Sequence, residues 1–130
     1  MNEARDFYTK LTNKTYHAFF AVEAQCGYRA LLEMENQCIC AGSAMLYARR
    51  LLNEEADDTF RPRPDLSSFV FTLALHPSKS VILVHWAECM LDKQVTYHSH
   101  VIESYDFFRE DSFEELGQDL NNVLDWGVSI

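Results

Sequence analysis

The sequence predicts an α+β domain in which helices pack on a mostly antiparallel sheet of about four strands. Between Tyr28 and Asn53, apolar residues recur at steps of three and four, as they do on one face of a helix. Between Ser67 and Ile102, three segments rich in Val, Ile, Phe, Tyr and Thr are separated by short turn sequences, as in an antiparallel meander. Hydrophobic residues make up 48% of the 130 residues, which is enough for one core. We therefore expect a single domain spanning residues 1–130.

The first elements are an N-terminal segment and a strand. Residues 1–16 form the segment, in which residues 2–12 could make a short helix. His17–Ala24 is mostly apolar and does not alternate with polar residues, which is typical of a buried strand. Glu23, near the end of this strand, is the exception.

A long helix should follow the first strand. Its apolar stripe predicts the face that packs against the sheet. Gly42 lies in the middle of the helix, where glycine costs about 1 kcal/mol relative to alanine, so we expect the helix to approach the sheet closely there. The stripe consists of Leu31, Met34, Cys38, Ala41, Met45, Ala48 and Leu52.

A connector and three strands come next. Residues 53–65 hold five acidic residues and two prolines, which favour an extended, irregular linker. The predicted strands are Ser67–Leu75, Val81–Met90 and Val95–Ile102, joined by turns at residues 76–79 and 91–94.

The last element is a helix with a clear start signal. Ser112 and Glu115 have the spacing of a capping box, and Gly127 is placed to end the helix. The expected apolar face consists of Phe113, Leu116, Leu120, Val123 and Leu124.

The charge of −9 argues against tight binding of nucleic acid by the isolated chain, because the basic residues are not gathered into a stripe. Arg49–Arg50 and the pair Arg61 and Arg63 lie beside acidic residues, and we interpret both sets as solvated surface. There is no nucleophile elbow and no glycine-rich phosphate loop.

Three observations predict an intracellular protein that does not insert into a membrane. The N-terminus has no apolar signal region, and no stretch approaches the ~18 consecutive apolar residues of a membrane helix. The cysteines lack the spacing of a zinc site or a redox pair, so we expect buried free thiols in a reducing compartment. They are Cys26, Cys38, Cys40 and Cys89.

Three histidines on the last two strands suggest one possible metal site. A two-residue turn at Asp92-Lys93 would set His85 opposite His100 and place His98 on the same face. Three neighbouring imidazoles can hold zinc or iron. The alternative is that these histidines only form a polar outer face.

Glu23 and Gln25 project to one side of the first strand, directly before the long helix. This layout resembles the PD-(D/E)XK nuclease-like superfamily, in which a buried strand ends in Glu-x-Lys and leads into a long helix. It is similar in particular to uncharacterised fungal members, whose pattern also matches Glu35–Gly42, Val84–Glu88 and Asn121–Gly127. The matching stretches span residues 17–127.

The resemblance implies a restriction-endonuclease-like fold and, where the site is active, Mg²⁺-dependent hydrolysis of phosphodiesters. Glu23 matches the metal-binding acid of the strand. Gln25 stands where the catalytic lysine is expected, and Asp6, the one aspartate ahead of the strand, gives no convincing match to the second metal-binding acid. The sequence therefore indicates a nuclease-like domain with an incomplete site and no cofactor. The alternative is an acidic module or effector that binds a protein partner.

Overall fold

The computed structural model describes residues 18–24, 31–59, 61–62 and 68–129. The predicted α+β class is confirmed. The short helix expected over residues 2–12 lies outside the described residues. In chain order the elements are β1 (Phe20–Ala24), α1 (Leu31–Ala56), β2 (Val70–Leu75), β3 (Lys79–Cys89), β4 (Val95–Asp106) and α2 (Ser112–Ser129).

The four strands form one mixed sheet in the order β1-β2-β3-β4. β1 and β2 are parallel and are connected through α1, because parallel neighbours need a crossover from one end of the sheet to the other. β2, β3 and β4 form the expected antiparallel meander. β4 extends four residues beyond its expected end at Ile102, and a register irregularity lies between Ile82 and Leu83 of β3.

Helix α1 packs its predicted stripe against one face of the sheet. Met34 and Cys38 are fully buried, and Met45 is nearly so. Cys40 is exposed, which corrects the expectation of a buried thiol there. The reason is that a side chain two residues from Cys38 lies about 200° around the helix.

Arg49 also departs from its predicted solvated position. It is partly buried, and its guanidinium donates a hydrogen bond to the carbonyl of Ala18, just ahead of β1, at 3.2 Å. Burial lowers the pKa of Arg49 below its ordinary value. The Arg49 side chain therefore helps to fix β1 on α1. Its neighbour Arg50 lies 3.5 Å from the carboxylate of Glu54, one turn later.

Helix α2 covers the opposite face of the sheet. Leu116 joins a buried cluster with Leu73, Ile82 and Tyr105. The Tyr105 hydroxyl donates to the carboxylate of Asp119 at 2.5 Å, which ties β4 to α2. The sheet is thus the middle of three layers, with a separate core on each side.

The predicted capping box of α2 was wrong, because Ser112 does not act as the N-cap acceptor. The Ser112 hydroxyl donates to the carbonyl of Asp106, whereas a cap would accept a backbone N–H. The Asp111 carbonyl accepts the N–H of Glu115 at 3.0 Å, so Asp111 stands at the helix start. Of the expected apolar face, Phe113 and Leu124 are exposed, and the Phe113 ring stacks on Phe107.

Gly127 does not end α2, which continues to Ser129. A Cβ on Gly127 would lie 2.0 Å from the ring of Phe19. Gly127 is therefore required where the helix meets the residue ahead of β1.

The connector begins later than predicted, because α1 continues to Ala56. Part of it lies outside the described residues. The carbonyl of Pro62 accepts a hydrogen bond from the N–H of Cys89 at 2.9 Å, so the connector passes the end of β3. No helix of the described part of the chain is long and apolar enough to cross a membrane.

Candidate functional site

Glu23 is the fourth residue of β1, beside Ala74 of the parallel strand β2. Its side chain lies on the face that α1 covers, since Ala21, two residues earlier, packs against Met45 and Leu46 of that helix. β1 is the edge strand of the four-stranded sheet, and Val22 on its other face is 49% exposed. The expectation of a buried strand was therefore wrong, and Glu23 is only half-buried.

The thiol of Cys38 is the buried neighbour of Glu23. Cys38 is fully buried and hydrogen-bonds to the backbone of Glu23 and the side chain of Thr72. Burial raises the pKa of the Cys38 thiol, and the nearby charges of Glu23 and Glu35 add to that increase. The hydrogen bonds act in the opposite direction but do not cancel it. Cys38 is therefore a protonated thiol at neutral pH and a poor nucleophile.

His85 of β3 extends these polar contacts across the sheet. Its Nε2 lies 2.7 Å from the Thr72 hydroxyl, and its Nδ1 lies 2.6 Å from the Ser99 hydroxyl on β4. His85 is fully buried, and this burial lowers the pKa of its imidazole to about 4. A neutral ring donates from one nitrogen and accepts at the other, so two hydroxyls satisfy it without a charge.

These hydrogen bonds can all be made with one consistent choice of donor and acceptor at each group. When Ser99 donates to Nδ1 of His85, the ring donates from Nε2 to Thr72, and the Thr72 hydroxyl proton is left for the Cys38 sulfur. The contacts thus run from an exposed serine on β4, beneath α1, to the backbone of Glu23 on β1. We call these four residues, Cys38, Thr72, His85 and Ser99, the polar row.

Gly42 of α1 makes room for the polar row. A Cβ at Gly42 would lie 2.4 to 2.6 Å from three ring atoms of His85. The predicted close approach of helix and sheet is confirmed. The group that requires a glycine at this close approach is the imidazole ring of His85.

The expected cluster of three histidines was wrong. The turn has three residues, because the Met90 N–H donates to the Gln94 carbonyl and Lys93 has a positive φ of 67°. β3 and β4 are therefore shifted by one residue from the expected register. His98 pairs with Trp86 and His100 with Val84, while His85 pairs with Ser99. A shift of one residue moves a side chain to the other face, so His85 is separated from His98 and His100 by the sheet.

His98 has partners of its own on the outer face. Its ring stacks on Trp86 with centroids 5.2 Å apart, and its Nε2 lies 3.7 Å from the carboxylate of Glu88. Within the described ranges, no three His, Cys, Asp or Glu side chains come together as a metal site would require.

The described residues do not supply a complete Mg²⁺ site at Glu23. Glu23 and Glu35 are the carboxylates near Cys38, and no three His, Cys, Asp or Glu side chains come together within the described ranges, whereas Mg²⁺ prefers several oxygen ligands in octahedral geometry. Gln25 lies outside the described residues. The donor set therefore does not fit a resident ion.

A surface cavity of about 420 Å³ lies near the turn between β3 and β4. Its lining carries both signs of charge, from Glu54 and Asp58 against Arg61 and Lys93. Neither Glu23 nor any residue of the polar row lines it. It is therefore separate from the position that the nuclease-like resemblance singles out.

Sequence reasoning missed Thr72 and Ser99 as partners of His85. Thr72 lies within the apolar run Val70–Leu75, and Ser99 lies between two histidines. The signal in the sequence was a polar residue at a position of each strand that faces α1. Which positions face α1 is known only when the register of the strands is known.

Comparison with known proteins gives one match. Neither the curated proteins nor the solved structures include a match to the chain. A family model matches residues 2–130, nearly the whole sequence, and is described as a domain of unknown function, DUF7924. The chain therefore belongs to the DUF7924 family.

Proposed function

We propose that the chain is a PD-(D/E)XK nuclease-like domain whose catalytic site is incomplete. The observation that carries the proposal is the unit β1-α1-β2, in which a strand with Glu23 near its end leads through a long helix to a parallel strand. The resemblance assigns the strand acid to this place in the chain. Glu23 stands at the edge of the sheet, on the side that α1 covers.

The chemistry available around Glu23 supports the incomplete site. Hydrolysis of a phosphodiester requires stabilisation of the charge that develops on the phosphate, usually by a metal ion held by more than one carboxylate. Gln25 replaces the expected lysine, and an amide carries no charge and cannot assist deprotonation of water. Glu23 is left beside the neutral thiol of Cys38, with Glu35 of α1 as the other carboxylate near that thiol.

The proposal predicts no cleavage of plasmid or single-stranded DNA by the purified chain in millimolar Mg²⁺ or Mn²⁺. It also predicts no rise in melting temperature with either ion. Gln25→Lys does not restore cleavage, because the second acid is still missing. Affinity for a generic duplex is no better than about 10⁻⁴ M at physiological salt, since a charge of −9 cannot release many counterions.

Glu23→Gln is the matched control, because it keeps the shape of the side chain and removes its charge. Metal-dependent cleavage by the wild type that disappears in Glu23→Gln would refute the incomplete site. An experimental structure tests the family assignment separately. In PD-(D/E)XK proteins a preceding strand also lies beside the strand that carries the acid. A helix packed along the outer edge of β1, in place of such a strand, would therefore contradict the assignment.

A further inference from the structure

Among the described strands, β4 forms the edge of the sheet opposite β1. It is twelve residues long, and every residue of Ser99–Ser104 is exposed. Its backbone pairs with β3 on one side only, and no other described strand lies beside it. The outer N–H and C=O groups of β4 therefore offer a template for another strand.

β4 lacks several of the devices that block an edge, although it has a bulge at Ile102 and the acidic residues Glu103 and Asp106. Proteins block exposed edges with lysine, proline or very short strands. Val95–Asp106 contains neither lysine nor proline. It also exposes Val101 and Ile102, by 42% and 46%. Ile102 is the one residue between Val95 and Asp106 that has no partner in β3, because the register shift falls there.

The charge around this edge indicates the kind of partner. From Val95 to Glu115 the chain carries six acidic residues and a single basic one, Arg109. A second copy of the chain would bring the same acidic surface and a further charge of −9, which opposes self-association. A basic strand would be attracted.

We propose that β4 binds an extended, basic peptide segment of a partner protein by strand addition. The peptide's backbone pairs with the outer edge of β4, which supplies affinity independently of sequence. Alternate apolar side chains of the peptide contact Val101 and Ile102. Its lysines or arginines lie near Glu103, which pairs with Ile82 on the face that α2 covers, and this charge pairing selects basic over acidic partners.

The test uses the full chain and an acetylated eight-residue peptide that alternates valine and lysine. Binding is followed by fluorescence anisotropy at low and at physiological salt, and by hydrogen exchange of the β4 amides. We expect saturable binding that weakens as salt rises. We also expect slowed exchange in β4, where the peptide protects outward N–H groups. A peptide of alternating valine and glutamate, and a valine–lysine peptide with alternate backbone nitrogens methylated, are the controls that should not bind.

Two variants at one position separate charge from shape. Ile102→Lys places a like charge beside the basic peptide, while Ile102→Glu places an opposite charge there and removes the same apolar contact. Because Ile102 has no partner in β3, neither change breaks a pair within the sheet. Cross-strand charge pairs of this kind predict binding about fivefold weaker for Ile102→Lys than for Ile102→Glu.

Three outcomes would overturn the proposal. Equal binding by the two Ile102 variants would show that charge does not select the partner. Protection of the β4 amides in a peptide-free monomer would show that another part of the chain already covers the edge. The same protection in a dimer, established by sedimentation, would show that a second copy is the occupant.

Discussion

Gly42→Ala places a methyl group where the His85 ring already lies. The added Cβ would stand 2.4 to 2.6 Å from three ring atoms, which is well inside van der Waals contact. The ring cannot move aside freely, because both of its nitrogens are hydrogen-bonded, to Thr72 and to Ser99. Either α1 shifts away from the sheet or the ring gives up its partners.

The magnitude follows from three contributions. Overpacking of a core costs about 1 to 3 kcal/mol. Loss of one or both hydrogen bonds of His85 costs about 1 kcal/mol each. Alanine gains about 1 kcal/mol over glycine in a helix, which offsets part of this. We expect the free energy of unfolding to fall by about 2 kcal/mol.

Gly117→Ala is the matched control. Gly117 lies within helix α2, it is exposed, and a Cβ there meets nothing within 4 Å. The same substitution should therefore stabilise the chain by up to about 1 kcal/mol. Urea denaturation followed by tryptophan fluorescence and circular dichroism measures both changes.

A double variant locates the clash. In a His85→Ala background the ring is gone, so Gly42→Ala should no longer destabilise the chain. The coupling between the two positions should be about 2 to 3 kcal/mol. If Gly42→Ala stabilises the wild type as much as Gly117→Ala does, the helix does not rest on His85, and the reasoning fails.

Two further predictions concern the same core. The pKa of His85 is about 4 in the folded chain and 6.5 in the unfolded chain, so the unfolded state binds the proton first as pH falls. The neutral His85 ring therefore contributes its full share to the free energy of unfolding above pH 6.5, and this share falls by up to about 3 kcal/mol as the pH is lowered towards 4. In urea titrations, a His85→Asn variant should lose this part of the pH dependence. Met34→Ala, at a fully buried position of α1, should cost about 2 to 5 kcal/mol, whereas Leu32→Ala, at a position 66% exposed, should cost under about 0.5 kcal/mol. Equal shifts in the urea midpoint for these two variants would show that the buried face of α1 has been misassigned.

The fold could be predicted because its signals are local. The stripe from Leu31 to Leu52 repeats with the period of a helix, and Met34, Cys38 and Met45 of that stripe are buried. The three later strands have β-branched and aromatic residues and are separated by turn sequences. Such signals depend only on neighbouring residues, so one sequence is enough to read them.

The candidate site could not be predicted to the same degree because it depends on register. The turn after β3 contains three residues, and Lys93 adopts a left-handed conformation that lysine seldom takes. That one additional residue moves His85 to the face beneath α1 and leaves His98 and His100 on the other. No local signal in Leu91–Gln94 distinguishes the two turn lengths. The sequence alone therefore could not decide on which face of the sheet each histidine lies.

The spacing of Cys38 and Gly42 connects Glu23 to the centre of the sheet. The two residues are four apart, one turn of α1, so they lie on the same face of the helix. Cys38 contacts the backbone of Glu23 on β1, and Gly42 contacts His85 on β3. Because the helix is rigid over one turn, a shift of α1 away from His85 also moves the thiol that contacts β1. A change at Gly42 should therefore disturb the surroundings of Glu23 without touching that residue, whereas Glu23→Gln changes the charge and leaves the helix in place. Only the second kind of variant can test chemistry at Glu23 separately from the packing that holds it.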